Sequence, residues 1–195
     1  MNSKIKNAVT KISFLTLLWI TVEQAIAGDT LLKLYRPFTE MSQISQPESF
    51  GAPHPGRCIG QSHLVQREDA WRCSDGRVTY DPCFLNPAGS QTSVLCPVAP
   101  WEKQAVVIQL TQRLDNSKHV ALDMSRGYPW GIELSQGDKC LAIDTTQQYD
   151  NLPVRYVCQS RSVLFGHIQR CSPTWKVLQH NANGVATITV ARAWF

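Results

Sequence analysis

The seven cysteines have the most reactive side chains in the sequence. Their spacing distinguishes metal binding and redox chemistry from cross-linking by disulfides. A zinc knuckle places two ligands about two to four residues apart, and a thioredoxin-type redox centre uses Cys-x-x-Cys. Neither spacing occurs between two cysteines, and although His54 and His63 lie close to Cys58, no matching second pair follows. The spacing therefore predicts no metal site and no redox centre. It favours disulfides as the main role of Cys58, Cys73, Cys83, Cys96, Cys140, Cys158 and Cys171.

One cysteine has a histidine nearby in the sequence. Cys171 and His167 lie four residues apart in "GHIQRC", a spacing that would place thiol and imidazole on one face of a helix. A thiolate paired with histidine is a nucleophile. The segment has no helical pattern, however, so the sequence favours Cys171 as a leftover cysteine, either free or paired with a second chain.

Other catalytic patterns are missing from the sequence. It has no G-x-S-x-G elbow, no H-E-x-x-H motif and no glycine-rich phosphate loop. A glycosidase needs two carboxylates across a cleft, and surface and turn roles explain the available acidic residues equally well. We therefore predict a protein that is not an enzyme and needs no cofactor, with a hydrolase as an alternative that would draw on Glu68, Asp69, Asp81, Glu133, Asp138 or Asp144.

Aromatic residues are the best candidates for a binding surface. Tyr128 and Trp130 flank Pro129 in the turn-prone stretch "GYPWG", and exposed rings beside polar loops can stack on sugars or anchor protein contacts. The alternative is that tryptophans fill a β core, which the strand-like patterns around Trp130, Trp175 and Trp194 favour. Tyr128 and Trp130 are the predicted binding residues, and Tyr128 is the stronger candidate.

The start of the chain predicts export. Three lysines precede the apolar run "ISFLTLLWITV", and Ala25-Ile26-Ala27 then fits the small-residue cleavage site of a signal peptide over residues 1–27. The run is shorter than the roughly 20 residues of a membrane-spanning helix, and a buried core helix is the remaining alternative. We expect a periplasmic or extracellular protein with no membrane span after cleavage, in a compartment where thiols oxidise.

The charge of the predicted mature chain argues against a nucleic-acid partner. Residues 1–27 hold three of the 19 basic and one of the 15 acidic residues, so the net charge falls from +4 to +2 without them. That value is too small to indicate a polyanion such as nucleic acid.

Strands and turns must position these residues. Turn signals at Ser74-Asp75-Gly76, Gln136-Gly137-Asp138 and Asn183-Gly184 separate runs of alternating or β-branched residues, which is typical of hairpins. "AVVIQLTQRL", residues 105–114, reads as another strand. We predict a mainly β fold, an antiparallel sandwich or barrel stapled by disulfides. Residues 28–57 form an irregular N-terminal arm or linker, and residues 58–195 form a single domain.

The predicted strands also suggest how the cysteines pair. Cys140 and Cys158 lie in strand-like segments joined by one connection, and neighbouring strands bring such residues close enough for a disulfide. In the first half of the domain we expect the sequential pairs Cys58–Cys73 and Cys83–Cys96, although six cysteines allow 15 connectivities.

Several stretches resemble a group of uncharacterised exported bacterial proteins, common in actinomycetes. The shared pattern is "AWRC…YDPCF…VLCP…PW" followed by "PWGIEL..GDKC…VRYVC…P.W.V", and it covers about residues 58–194. The resemblance implies a fold and no mechanism. Members of the group resemble "DRS.P.W" where this chain has "QRCSPTW", which implies that Cys171 is the odd cysteine. The matching pieces are Ala70–Cys73, Tyr80–Phe84, Val94–Pro97, Pro100–Trp101, Pro129–Cys140, Val154–Cys158 and Pro173–Val177.

Together these features predict an exported binding module without catalytic activity. Its partner would be a protein or glycan of the cell envelope or the extracellular space. One alternative is an inhibitor of an envelope-acting enzyme such as a lysozyme-type hydrolase, and a second is a secreted hydrolase.

Overall fold

The structure is a computed structural model that describes residues 28–39, 49–86 and 91–195. The predicted signal peptide, residues 1–27, lies outside this part of the chain. The described residues form fourteen strands in two sheets and no helix. The prediction of a mainly β, disulfide-stapled fold is confirmed.

The first sheet holds six strands and closes on itself. The strands are β2 (Ser49–Phe50), β3 (His54–Gln61), β4 (Ala70–Ser74), β5 (Thr79–Leu85), β6 (Ser93–Pro97) and β7 (Gln104–Leu110). Strands β3 to β6 follow one another as antiparallel neighbours, and β7 pairs with β6 on one edge and, in parallel, with β3 on the other. Short strand β2 adds to β7, also in parallel.

The second sheet holds eight strands and also closes. The strands are β1 (Leu31–Lys33), β8 (Gly131–Leu134), β9 (Lys139–Ala142), β10 (Gln148–Tyr149), β11 (Leu152–Cys158), β12 (Val163–Gln169), β13 (Lys176–Asn181) and β14 (Gly184–Trp194). The ring follows the order β8-β9-β11-β12-β13-β14, every pair in it is antiparallel, and β14 pairs back to β8. Strand β10 adds to β11, and β1 adds to β14 in parallel.

The three predicted hairpin turns are present. Gly76, Gly137 and Gly184 have φ angles of 90°, 87° and 106°, a region that residues with a Cβ rarely adopt. In the first of these turns, the Asp75 carboxylate accepts hydrogen bonds from the main-chain N–H groups of Arg77 and Val78, each at 2.8 Å. The turns join β4 to β5, β8 to β9 and β13 to β14.

All three predicted disulfides form, and each links adjacent strands. Cys58 lies directly opposite Cys73 on β3 and β4, and Cys140 lies opposite Cys158 on β9 and β11. Cys83 and Cys96 join β5 to β6. Cys171 is a free, exposed cysteine.

Strands lie on both sides of the predicted boundary between arm and domain. β3 begins at His54, so residues 54–57 are part of the first sheet. Residues 31–33 form β1, because their main chain pairs with residues 192–194 of β14. Residues 40–48, where the polar part of the arm lies, are outside the described residues.

The two sheets pack against each other through a shared aromatic core. Tyr35, Phe84, Trp130 and Trp194 lie in one buried cluster with Val65 and Ala70. The Gly131 backbone also lies against two side chains of the β6–β7 loop: a Cβ built on Gly131 would lie 2.6 Å from Pro100 Cγ and 2.9 Å from a ring carbon of Trp101. A larger residue at 131 would therefore clash with these two side chains.

Candidate functional site

A long connection without strands, residues 111–130, carries the chain from the first sheet to the second. We call it the crossing segment. The side-chain amide of Gln61 binds both main-chain groups of Val120: its nitrogen donates to the Val120 oxygen at 2.7 Å, and its oxygen accepts from the Val120 N–H at 3.1 Å. The Glu68 carboxylate accepts from the Leu122 N–H at 3.2 Å. These bonds fix the middle of the crossing segment on the first sheet.

A tight turn at residues 123–127 then directs the crossing segment onto the second sheet. The Gly127 N–H donates to the Asp123 main-chain oxygen at 2.7 Å, and the Asp123 carboxylate accepts from the Ser125 N–H at 2.9 Å. Arg170 directly follows β12 of the second sheet, and its guanidinium donates to the main-chain oxygens of Met124, Ser125 and Gly127. The turn is therefore held in place by its own hydrogen bonds and by Arg170, and it presents Arg126 and Tyr128.

A cleft of about 440 Å³ lies beside this turn, between the two sheets. We call it the intersheet cleft. Residues from three parts of the chain line it: the β3–β4 loop of the first sheet, the crossing segment, and strands β9 and β11 with the loop after β9. The lining residues are His63, Leu64, Gln66, Arg126, Gly127, Tyr128, Ala142, Ile143, Asp144, Thr145, Pro153, Val154, Arg155 and Tyr156.

The structure separates the two predicted binding residues. Tyr128 is half-buried and lines the intersheet cleft. Its hydroxyl lies 2.7 Å from His167 Nδ1, and the guanidinium carbons of Arg155 and Arg170 lie 4.1 and 5.6 Å from its ring centroid. Because two guanidinium groups contact the Tyr128 ring, the role of Tyr128 in the cleft is to position these cations.

Trp130 is not at the surface. It is 1% exposed and packs against Tyr35 and Phe84 in the shared core. The turn-prone "GYPWG" stretch suggested that both rings would be displayed, but Trp130 is followed directly by β8, whose buried side carries it inward. We therefore assign Trp130 to the core and withdraw it as a binding residue. Trp175 and Trp194 are also buried.

Two arginines of the intersheet cleft were not among the predicted site residues. Arg155 is half-buried on β11, and its Nε donates to the Gly166 main-chain oxygen at 3.1 Å. Arg126 has a side chain that is 90% exposed, and its Nε lies 3.8 Å from the Asp123 carboxylate. Nothing in the local sequence marks either residue, because the cleft exists only once the two sheets have packed.

An ionic group at the edge of the cleft joins the two sheets. His63 Nδ1 lies 2.9 Å from the Asp144 carboxylate, and Arg72 Nη1 lies 3.0 Å from the same ring nitrogen and 3.7 Å from Asp144. His63 and Asp144 are both more than half exposed. Asp144 therefore presents a hydrogen-bond acceptor to solvent, and it also lines the cleft.

Beside this group lies a carboxyl with an altered pKa. Burial raises the pKa of Asp81, against hydrogen bonds from the Ser62 hydroxyl and the His63 N–H that favour the charged form. Ser62 is buried, and its oxygen also accepts from the N–H groups of Leu64 and Val65. A hydroxyl held in this way is a loop-fixing group, because a nucleophile needs a free path to substrate and a base to take its proton.

Each of the other carboxylates considered for hydrolysis has its own hydrogen-bond or ion-pair partner, and they lie in separate parts of the structure. Asp69 pairs with Arg67, Glu133 pairs with Arg192, and Asp138 accepts from Ser160. Main-chain hydrogen bonds lower the pKa of Glu68. Of the six acidic residues considered, only Asp144 lines the intersheet cleft.

The thiol–imidazole pair that was considered for Cys171 and His167, and not favoured, does not form in the described structure. His167 lies on β12 and contacts the Tyr128 hydroxyl, whereas Cys171 follows the end of that strand. Among the described residues, one group of potential metal ligands lies close together, Asp138 with Cys140 and Cys158. The two sulfurs form a disulfide, so neither can bind a metal as a thiolate.

Comparison with protein-family models, with curated proteins and with solved structures finds no match to this chain. Within the described ranges, no helix has the length and apolar character needed to span a membrane. The candidate function therefore rests on the geometry of the intersheet cleft.

Proposed function

We propose that this protein is an exported binding module without catalytic activity, which holds a glycan or protein of the cell envelope or extracellular space in its intersheet cleft. The observation that carries the proposal is the cleft itself. Its volume of about 440 Å³ lies within the range of ligand sites in proteins, about 300–1,000 Å³. Both sheets contribute charged and hydrogen-bonding side chains to it.

The fold supports a preformed site. Each sheet has its own buried cluster, with two disulfides in the first sheet and one in the second, and the aromatic cluster that includes Trp130 and Trp194 joins the sheets. A ligand that meets walls already in place loses less free energy to ordering the protein than one that must close a flexible loop. The three disulfides are also typical of proteins that act in oxidising compartments.

The chemistry of the cleft favours binding over hydrolysis. Glycoside hydrolysis needs a second carboxyl placed across from the first, but Asp144 is the single acidic residue among the lining residues. The raised pKa of Asp81 belongs to a carboxyl that fixes Ser62 and His63 and does not line the cleft. The hydrolase alternative therefore has no pair of groups to carry it in the described residues.

A cleft-filling variant tests the proposal. Gln66 is exposed and lines the cleft, so Gln66→Trp should block the site without disturbing a buried contact. The matched control is Gln136→Trp, which places the same bulk on an exposed turn of the second sheet away from the cleft. Both variants and the parent protein would be immobilised and exposed separately to envelope glycan and to envelope protein fractions.

We expect the parent protein and Gln136→Trp to retain a ligand, and Gln66→Trp to lose most of it. Equal retention by all three proteins would place binding outside the intersheet cleft. Turnover of a glycan that Asp144→Asn abolishes would identify a hydrolase instead. Inhibition of a lysozyme-type enzyme through a stoichiometric complex that Gln66→Trp leaves intact would support the inhibitor alternative.

A further inference from the structure

Arg155 holds a positive charge in the intersheet cleft without a carboxylate to neutralise it. Among the described residues it has no ion-pair partner; its recorded contacts are the Nε–H bond to the Gly166 oxygen and the stacking over Tyr128. Stacking on a ring uses the face of a guanidinium and leaves its N–H groups free to donate in the plane. The terminal nitrogens of Arg155 are therefore available donors at a fixed position.

Arg126 adds a second cation to the same cleft. Its closest acidic neighbour, Asp123, is 3.8 Å away, and the side chain is 90% exposed, so this surface pair contributes little. The turn that carries Arg126 is fixed by Arg170 and by the Gly127 N–H bond. Both arginines line one cleft, and hydrogen bonds fix Arg155 and the turn that carries Arg126. Together they form a binding site for an anionic oxygen group.

The rest of the lining narrows the kind of anion. Asp144 presents a half-exposed carboxylate, Thr145 a hydroxyl and Gln66 an amide, and all three line the cleft. An acceptor such as Asp144 suits the hydroxyl groups of a ligand. The cleft thus offers hydrogen-bond donors for one carboxylate and acceptors for hydroxyl groups. This combination matches a sugar that carries a carboxylate.

Two tyrosines line the cleft, of which Tyr156 is buried and Tyr128 is half-buried. Neutral sugars commonly bind by stacking on an exposed aromatic face, but the Tyr128 ring already stacks with Arg155. A sugar in this cleft would thus gain its main interaction from the guanidinium groups that Tyr128 positions.

We infer that the intersheet cleft binds a uronic acid unit of an acidic glycan. The ligand carboxylate accepts hydrogen bonds from Arg155 and Arg126, and a neighbouring hydroxyl donates to Asp144. This inference rests on the proposed function, because it names the ligand class of the same cleft. An acidic peptide shares the carboxylate but not the ring hydroxyls, and it is treated as an outcome of the test.

The test is calorimetric titration of the full protein with three probes: trigalacturonic acid, its fully methyl-esterified form, and triglutamate. We expect trigalacturonic acid to bind at least about tenfold more tightly than either other probe. The ester loses the charge-assisted hydrogen bonds from the arginines, and triglutamate lacks the ring hydroxyls that donate to Asp144. Raising the ionic strength should weaken this binding.

Arginine variants locate the contact. Arg126→Gln should weaken trigalacturonate binding by about tenfold, and the variant should fold normally because Arg126 is exposed and makes one long ion pair. Arg155→Gln should weaken binding at least as much. Arg77→Gln, which removes a charge from an exposed hairpin of the first sheet, is the control and should bind like the parent protein.

Three results would overturn the inference. The first is equal binding of the acid and its ester, and the second is equal binding of triglutamate. The third is no binding of trigalacturonic acid at all. If any of these occurs while Gln66→Trp still abolishes capture of envelope material, the proposed function stands and the acidic-sugar assignment fails. If Gln66→Trp also has no effect on capture, both fail.

Discussion

The guanidinium carbon of Arg155 lies 4.1 Å from the centroid of the Tyr128 ring. This contact joins β11 to the end of the crossing segment, two parts of the chain that meet only in the folded protein. The Tyr128 hydroxyl meets His167 of β12 at 2.7 Å. One side chain thus links three elements around the intersheet cleft, and its removal should affect both stability and binding.

Replacing Tyr128 with alanine should lower the free energy of unfolding by about 1–3 kcal/mol, because it removes a cation–π contact and a hydrogen bond together. Tyr128→Phe keeps the ring and loses the hydroxyl, so it should cost about 1 kcal/mol or less. Urea denaturation of the three proteins measures the difference. Equal losses for both variants would show that the ring contact with Arg155 contributes nothing.

Glu68 should make the crossing segment sensitive to acid. Main-chain hydrogen bonds, including the one from Leu122, lower the pKa of this carboxyl below its unfolded value of about 4.3. Its stabilising contribution is therefore present above that pH and is lost as the pH falls through the lower folded pKa. We expect the melting temperatures of the parent protein and Glu68→Gln to differ at pH 7 and to converge in acid.

Two comparisons check this assignment. Amide exchange at Leu122 should be faster in Glu68→Gln than in the parent protein at neutral pH, because that N–H loses its charged acceptor. Glu102→Gln, a change at an exposed acidic residue of the loop between β6 and β7, should leave amide exchange at Leu122 unchanged. A melting-temperature difference that stays constant from pH 7 to pH 2 would contradict a role for the Glu68 charge.

Much of the fold could be predicted because its signals are local. Asp75-Gly76 and Asn183-Gly184 form the turns their sequence indicates, since a glycine there relieves the steric cost of positive φ. The disulfides followed from the strands, because cysteines on neighbouring strands come into register. The strand predicted over residues 105–114 is present in part: β7 spans Gln104–Leu110, and the chain leaves the sheet after Leu110.

The site could not be predicted in the same way. Arg155, Arg126 and His63 belong to segments far apart in the sequence, and no local pattern relates them. Trp130 was misread as a possible surface residue because the local turn signal says nothing about how the second sheet packs on the first. The parallel pairing of residues 31–33 with β14 also depends on contact across most of the chain.

Arg67 should be the most sensitive polar residue of the interface between the sheets. Its side chain is 7% exposed and pairs with Asp69 at 2.7 Å. Nη1 also donates to the main-chain oxygens of Tyr35 and Phe195, at 2.6 and 3.0 Å. Lysine keeps the charge but lacks the planar fork that reaches several acceptors at once.

We therefore expect Arg67→Lys to destabilise the protein by about 2–4 kcal/mol, since buried acceptors lose their donors. The control Arg113→Lys changes an exposed arginine and should cost less than about 0.5 kcal/mol. Chemical denaturation gives both values. If Arg67→Lys unfolds at the same denaturant concentration as the control, the fork of hydrogen bonds does not hold the interface.

The disulfide between β9 and β11 should matter more for stability than the free thiol does. Cys140 and Cys158 are 18 residues apart in the sequence, and both are buried. Closing a loop of this length is worth about 3 kcal/mol in the chain-entropy model, a large share of the roughly 5–15 kcal/mol that stabilises a typical domain. Cys140→Ser should accordingly lower the melting temperature clearly.

Cys171→Ser changes an exposed side chain without an intramolecular disulfide and should leave the melting temperature nearly unchanged. Thermal melts of the two variants under non-reducing conditions provide the comparison. Should Cys140→Ser melt like the parent protein while Cys171→Ser abolishes a biochemical activity, the cysteines would have to be reinterpreted, with Cys171 as a nucleophile and the disulfide as incidental.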